Sequence, residues 1–235
     1  MLVSPLAAVE PAIAQATPTP AAESESSEVR TILETSSQRL AETNSLHFSL
    51  DVEGTTYIDD SHTIQLSSAE GSVVRPDMVE ASFKAEIAGL AISTIELITV
   101  GDQSWTTNII TGDWEPAPTE FGYDATVLFS DTEGLGFIML NAVDPVLLPD
   151  DELNDHDVYH VQTTGDAALI GPVTSDTMVG YPVGIDVWID KVTYDVVKVV
   201  LVEAPTPEKD DPATWTLELS QQNEEFTIEP PDVDE

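Results

Sequence analysis

Four histidines, 44 acidic residues and no cysteine limit the chemistry open to this chain. His156 and His160 have the i, i+4 spacing that brings two imidazoles to one face of a helix, the arrangement of a metal pair. They lie in DHDVYHVQ, which reads as a strand and its approach, and no Glu follows His156, so they read as two solvated strand histidines. Asp150-Asp151-Glu152 and Asp59-Asp60 offer oxygen ligands. Neither sits in a twelve-residue loop with a central Gly and a terminal Glu, as an EF-hand calcium site requires. No Ser lies in a G-x-S-x-G elbow, and neither G-x-G-x-x-G nor a P-loop is present. Gly134-x-Gly136 is a lone pair and reads as packing space. Without Cys there is no disulfide, thiolate site or Cys nucleophile. By exclusion the chain reads as non-catalytic and free of cofactors.

The charge balance excludes further classes. Seven Lys plus Arg against 44 Asp plus Glu give a net charge of −37. Such a surface repels phosphate backbones and anionic headgroups, so nucleic acid and electrostatic membrane docking are both excluded as partners. At 41% hydrophobic, the chain has material for a real core. No apolar run reaches the roughly 18 residues of a spanning helix.

The elements that would position any site are mostly strands. Val183–Val202 sets the pattern: Val183, Ile185, Val187 and Ile189 alternate with Gly184, Asp186, Trp188 and Asp190, giving one apolar face. Lys191–Asp195 is a turn, and Val196–Val202 carries β-branched residues on both faces, as in a strand covered on two sides. Leu46–Gly54 alternates with Leu46, Phe48, Leu50 and Val52 inward, and Met78–Ile87 with Val79, Ala81, Phe83, Ala85 and Ile87 inward. Thr63–Leu66 and Gly71–Val74 read as two short strands, followed by an Arg75-Pro76-Asp77 turn. Leu90–Val100, Gln103–Ile110, Val158–Thr163 and Thr214–Ser220 read as further strands, the last with Trp215, Leu217 and Leu219 on one face. Gly101-Asp102 and Thr111-Gly112-Asp113 supply turns.

Two helices interrupt this period. Val29, Ile32, Leu33, Ser36 and Leu40 share one face of a helix capped by Ser26 or Ser27 and running to Glu42. Ser130-Asp131-Thr132-Glu133 is a capping box opening a helix to Ala142 that is apolar nearly all round, stopped by Asp144-Pro145. Pro149–Asp155 reads as an acidic loop, and Ala167–Thr177 as a loop or short helix. Residues 1–25 read as a tether ahead of one domain over 26–228, and 229–235 as an acidic tail. Met1–Ala16 reads either as a trimmed export signal or as an unstructured end, and Thr17–Ser27 is too poor in apolar residues to fold.

The fold expected is α+β: a strongly curved antiparallel sheet, an open half-barrel, with helices on its concave face. An ordinary packed core fits that pattern. So does a cavity, because small inward residues such as Ala81 and Ala85 sit among large ones.

The ordered segments resemble the LppX/LprG-type bacterial lipoproteins, which share the half-barrel of the LolA/LolB carriers. The similar stretches are Ser45–Gly54, Ala69–Pro76, Ile95–Trp105 ahead of Trp114, Phe129–Ala142, Val158–Gly165, Val187–Asp190 and Leu217–Ser220. They span about Ser26 to Glu225. The resemblance implies a cavity that takes the acyl chains of a lipid or glycolipid outside the cytoplasm, in a monomer, with an envelope lipid exporter as a candidate partner. It also implies membrane attachment only through an anchoring Cys that this sequence does not contain. The residues expected to line the cavity are Phe48, Leu50, Val52, Phe83, Ile87, Leu135, Ile138, Met139, Val187, Ile189, Leu217 and Leu219. The competing reading is an envelope sensor or protein-interaction module on the same fold, with the cavity collapsed.

Overall fold

Alternation of apolar and polar side chains produces twelve strands, joined edge to edge in one sheet. A computed structural model describes residues 20–57, 62–87, 89, 92–118, 125–130, 132–178, 182–206 and 211–233. Met1–Ala16, Asp59-Asp60, Leu90 and Asp131 lie outside the described residues.

The strands are β1 (Ser45–Glu53), β2 (Ile64–Val74), β3 (Met78–Ile87), β4 (Ile92–Val100), β5 (Gln103–Thr107) and β6 (Trp114–Pro116). After the helical middle come β7 (Val143–Leu147), β8 (Asp151–Leu153), β9 (His156–Gly165), β10 (Val183–Asp190), β11 (Val196–Val202) and β12 (Thr214–Ser220). Their order across the sheet is β6-β5-β4-β3-β2-β1-β12-β11-β10-β9-β7, with β8 also on β9. Strand pairing is antiparallel throughout these ladders. The sheet is curved and not closed. Three α-helices, α1 (Pro20–Ala41), α2 (Leu135–Leu140) and α3 (Ala167–Thr174), pack with a 3-10 helix (Ala125–Phe129) on its apolar face.

Several boundaries differ from those the sequence suggests. α1 begins at Pro20, ahead of Ser26, so Pro20–Ser27 is helix where a tether was expected. Proline suits a first helical turn, where its missing N–H costs nothing, and Ala21, Ala22 and the early glutamates favour the same end. The two short strands over 63–74 are one continuous β2 with a register shift between Leu66 and Ser68 that breaks the alternation. Asp144-Pro145 does not itself stop the second helix, which ends at Leu140 with Asn141 as its C-cap; Pro145 lies inside edge strand β7, where a missing proline N–H is tolerated. The acidic loop contains β8.

The capping box caps a turn instead of the helix. Ser130 Oγ accepts from the N–H groups of Thr132 and Glu133, Gly134 takes the N-cap, and α2 spans only Leu135–Leu140. β5 stops at Thr107, short of Ile110. β11 is covered on one side only: Val196, Val199 and Leu201 are buried while Val202 is exposed.

The scarce basic groups act as clips. Arg75, in the β2–β3 turn, donates from Nε to the Thr43 carbonyl at 2.8 Å and from Nη2 to the Phe129 carbonyl at 3.1 Å. Its guanidinium also lies 4.7 Å from the Phe129 ring centroid. One side chain therefore ties the sheet to the end of α1 and to the 3-10 helix. Arg39 on α1 pairs with Asp195 at 2.7 Å, holding the helix to the β10–β11 turn.

In that turn Asp190 is buried, with Oδ1 accepting from the backbone N–H groups of Val192 and Thr193 at 2.7 and 2.8 Å. Burial pushes its carboxyl upward, but these donors, the Thr193 side chain and His156 outweigh it and hold the group below its ordinary value.

Two outcomes follow. Arg75→Met strands two buried carbonyls and should cost about 1–3 kcal/mol in urea unfolding. Asp190→Asn should also destabilise by about 1–3 kcal/mol near neutral pH. Because the Asp190 pKa is depressed on folding, its contribution is complete above the ordinary carboxylate value of about 4 and fades as pH falls through the lower folded value. The gap between wild type and Asp190→Asn should therefore close in acid, as unfolding curves at stepped pH would show.

Candidate functional site

The concave face is built from strand register. Across the middle of the sheet, Ile95, Phe83, Ala69, Leu50, Leu217, Val199, Val187 and Val161 stand directly beside one another. One row along lie Val52, Trp215, Leu201 and Ile185. One row back, Phe48 stands between Leu219 and Gly71, with Ala81 beyond the glycine. A Cβ on Gly71 would come within 2.2 Å of the Glu80 carbonyl oxygen, so only glycine fits there. Phe48 covers the gap a missing side chain leaves, and Ala69, Ala81 and Ala85 keep the β2–β3 floor low.

The helices and the sheet share one buried cluster on this face. α1 comes near edge strand β7, and the 3-10 helix comes near β2 and β3 beside the central strand. Elsewhere the helices hold one another. Gly136 of α2 meets Ser37 of α1, whose Oγ donates to the Gly136 carbonyl at 3.1 Å, and an added Cβ would lie 2.9 Å from that oxygen.

Burial along the middle row is uneven. Val199 and Val187, toward one side, are 3% and 2% exposed. Leu50 and Val52, on the central strand, keep 9%, and Phe83 and Leu217 are half-buried. In a uniformly packed core, inward side chains near the centre would be the most covered. Two hydroxyls deepen the contrast. Ser36 Oγ on α1 and Thr106 Oγ1 on β5 are buried with no hydrogen-bond partner among the described residues. Buried polar groups are ordinarily paired.

Of the residues singled out from the sequence, Phe48, Leu50, Val52, Leu135, Ile138, Met139, Val187, Ile189 and Leu219 join one buried cluster. Phe83 and Leu217 pack against it half-buried, and Ile87 is half-buried at the end of β3. Leu135, Ile138 and Met139 lie at the α1–α2 packing, each no more than 4% exposed. The sequence did not single out Ala69, Gly71 or Thr106, and it set Trp215 and Ser36 on apolar faces without counting them among the lining residues. Ala69 and Gly71 were hidden by the β2 register shift. The alternation of Trp215 with Leu217 and Leu219 was a usable signal.

The convex face carries the polar side chains that could have done chemistry. His156 and His160 are not simply solvated: each is bonded to an aspartate of β10. His160 Nε2 lies 2.7 Å from Asp186 Oδ1, and His156 Nδ1 3.2 Å from Asp190 Oδ2. His160 stacks on Trp188 with centroids 4.1 Å apart, and the indole N–H donates to Asp151 at 3.0 Å. That donor and the Glu152 backbone N–H hold Asp151 below the usual carboxylate range. Four residues along a strand separate the two histidines by roughly 13 Å, too far to share a metal. Among the described residues no three His, Asp or Glu converge as metal ligands.

One Ser–His contact occurs, Ser72 Oγ with His47 Nδ1 at 3.3 Å. It is a cross-strand pair on the face opposite the apolar rows. Among the described helices none is long and apolar enough to cross a membrane.

Comparison with known proteins places the fold. LprF from Mycobacterium bovis superposes with a TM-score of 0.70 at 20% identity, covering 87% of this chain and 97% of that one. The Mycobacterium tuberculosis lipoprotein LppX gives a TM-score of 0.59 at 14% identity over 86% and 99%. Nothing among curated proteins matches the sequence. The model of the LppX_LprAFG lipoprotein family matches residues 28–228. With that match spanning most of its length, the chain belongs to the LppX/LprAFG lipoproteins, a family of the cell envelope outside the cytoplasm.

Proposed function

We propose that this protein binds the acyl chains of a lipid or glycolipid against the concave face and carries them outside the cytoplasm, without catalysis. The observation that carries this reading is that Phe83 and Leu217, inward on the apolar face near the sheet centre, stay half-buried. Apolar surface left open inside a fold gains roughly 0.8 kcal/mol for each methylene brought onto it from water. Membership of a lipoprotein family supports the same reading. Ser36 and Thr106 offer unpaired hydroxyls to an ester or headgroup oxygen, which would resolve their burial. An envelope lipid exporter remains the natural partner for hand-over, and a monomer suffices for the task.

A second reading has its own observation. Leu140, Val143 and Val146 are exposed at the β7 edge of the sheet. An apolar rim of this kind suits a protein-interaction module, with the space over Leu217 closed by small movements.

Uptake of a fluorescent fatty acid separates the two. Leu217→Trp should fill existing space, lowering uptake severely while leaving the melting temperature near that of wild type. Val187→Trp, in fully packed surroundings, should instead cost about 1–3 kcal/mol. If both variants are equally destabilised and wild type takes up no lipid, carriage is refuted and the interaction module stands. Ester hydrolysis lost on Ser72→Ala would overturn the non-catalytic part.

A further inference from the structure

The β5–β6 hairpin, at one edge of the sheet, ends in Asn108-Ile109-Ile110-Thr111-Gly112. Ile109 is 51% exposed and Ile110 is 89% exposed. An exposed isoleucine is common on protein surfaces, but two in succession at a hairpin tip are not explained by folding.

The tip is stiff. Asn108 Oδ1 accepts from the N–H groups of Ile110 and Thr111 at 2.9 and 3.2 Å, and Asn108 Nδ2 donates to Glu115. The Asn108 N–H donates to the Asp113 carbonyl at 2.9 Å, and the Gly112 N–H returns to the Asn108 carbonyl at 2.8 Å. Gly112 takes φ +78°, which closes the turn. This loop spends its hydrogen bonds on holding two apolar side chains out into solvent.

Behind the tip stands an aromatic collar. Trp114 pairs with Thr107 at the base of the loop and Trp105 with Pro116 one step further back, all on the convex face. Both indoles are half-buried. Tryptophan a few residues behind an apolar tip is the pattern of a side chain that settles at a water–hydrocarbon boundary.

We propose that this hairpin tip is a membrane-docking finger, with Ile109 and Ile110 entering the outer hydrocarbon of a bilayer and Trp114 resting at its interface. Carriage gives such docking its purpose, so the biological role rests on the reading above, although the contact itself does not.

Charge argues for a bilayer that is not strongly anionic. The five tip residues are uncharged, no Lys or Arg lies between Lys84 and Lys191, and Asp113 and Glu115 follow directly. An acidic body keeps the rest of the surface away from headgroups, confining contact to the tip. Two isoleucines hold a protein weakly and reversibly, as repeated docking and release require. The contact should therefore need no anionic lipid. On anionic vesicles it should strengthen with salt, the reverse of docking through basic residues.

The test is flotation of the full chain with phosphatidylcholine vesicles, alone and with added phosphatidylglycerol, together with tryptophan quenching by lipids spin-labelled on the acyl chain. Wild type should float with phosphatidylcholine, and its quenching should disappear in Trp114→Phe. Replacing both Ile109 and Ile110 with Ser should lower vesicle binding at least about tenfold with an unchanged melting temperature. Uptake of a fluorescent fatty acid supplied as monomer in solution should be unaffected by that double change. Wild type absent from the floating fraction, or a double variant that floats equally well, overturns the finger and leaves the tip as a protein contact. Failure of monomer uptake in wild type would instead refute carriage, with flotation still deciding the finger.

Discussion

The whole architecture hangs on the pairing of β1 with β12. The sheet is two antiparallel meanders, β1 to β6 and β9 to β12, each built from neighbours in sequence. Among the described residues only the β1–β12 ladder joins them edge to edge, matching His47–Glu53 to Thr214–Ser220 from opposite ends of the chain. The same seam aligns the apolar rows, Phe48 with Leu219, Leu50 with Leu217 and Val52 with Trp215. A one-residue slip would turn every one of these side chains to the convex face. Hydrogen bonds outside the ladder pin the register. The Asn44 N–H donates to Asn223 Oδ1 at 2.8 Å, and Ser45 Oγ donates to the Glu224 carbonyl at 2.6 Å. Such long-range pairing makes a slow nucleus, because the loop entropy between the partners is lost before contacts return it.

Charge is the second constraint. With seven Lys and Arg in the chain, a basic side chain is too scarce to spend on solubility. Arg39 joins α1 to the β10–β11 turn, Arg75 joins the sheet to the helical layer, and Lys191 bridges to Asp150 at 2.7 Å. Lys198 lies over the Trp188 ring at 5.0 Å. The remaining surface is overwhelmingly anionic. Such a surface repels most biological polyanions.

Much of this was legible in the sequence, because a half-buried antiparallel strand writes its own alternation. Leu46–Val52, Val79–Ile87 and Val183–Ile189 declared both their period and their inward residues. Reading failed where a local rule was overruled. The shift at Leu66–Ser68 put Ala69 and Gly71 out of phase with the start of β2. Asp144-Pro145 signalled a stop, yet an edge strand tolerates proline on its open side. Ile109 and Ile110 looked like the end of a strand, and only the Asn108 hydrogen bonds show them as a loop. Arg75 carries no motif, since its acceptors lie on two segments distant in sequence. The inward residues of the site were therefore readable, but the uneven cover above them was not. Cover depends on where helices rest, and periodicity carries no information on that.

Those resting places give the fold its logic. A layer of helices pressed onto the middle of a curved sheet would bury Leu50, Phe83 and Leu217 fully and gain the corresponding hydrophobic free energy. Here α1 bears on β7, the 3-10 helix bears on β2 and β3, and α1 and α2 grip each other at Ser37 and Gly136. Phe83 on β3 and Leu217 on β12 nonetheless stay half-buried. Arg75, Arg39 and the seam hydrogen bonds offset part of that loss by fixing the layer where it touches. No clip named above is attached to Leu50, Phe83 or Leu217. On the proposed reading, acyl chains fill this middle without releasing the contacts that keep the protein folded.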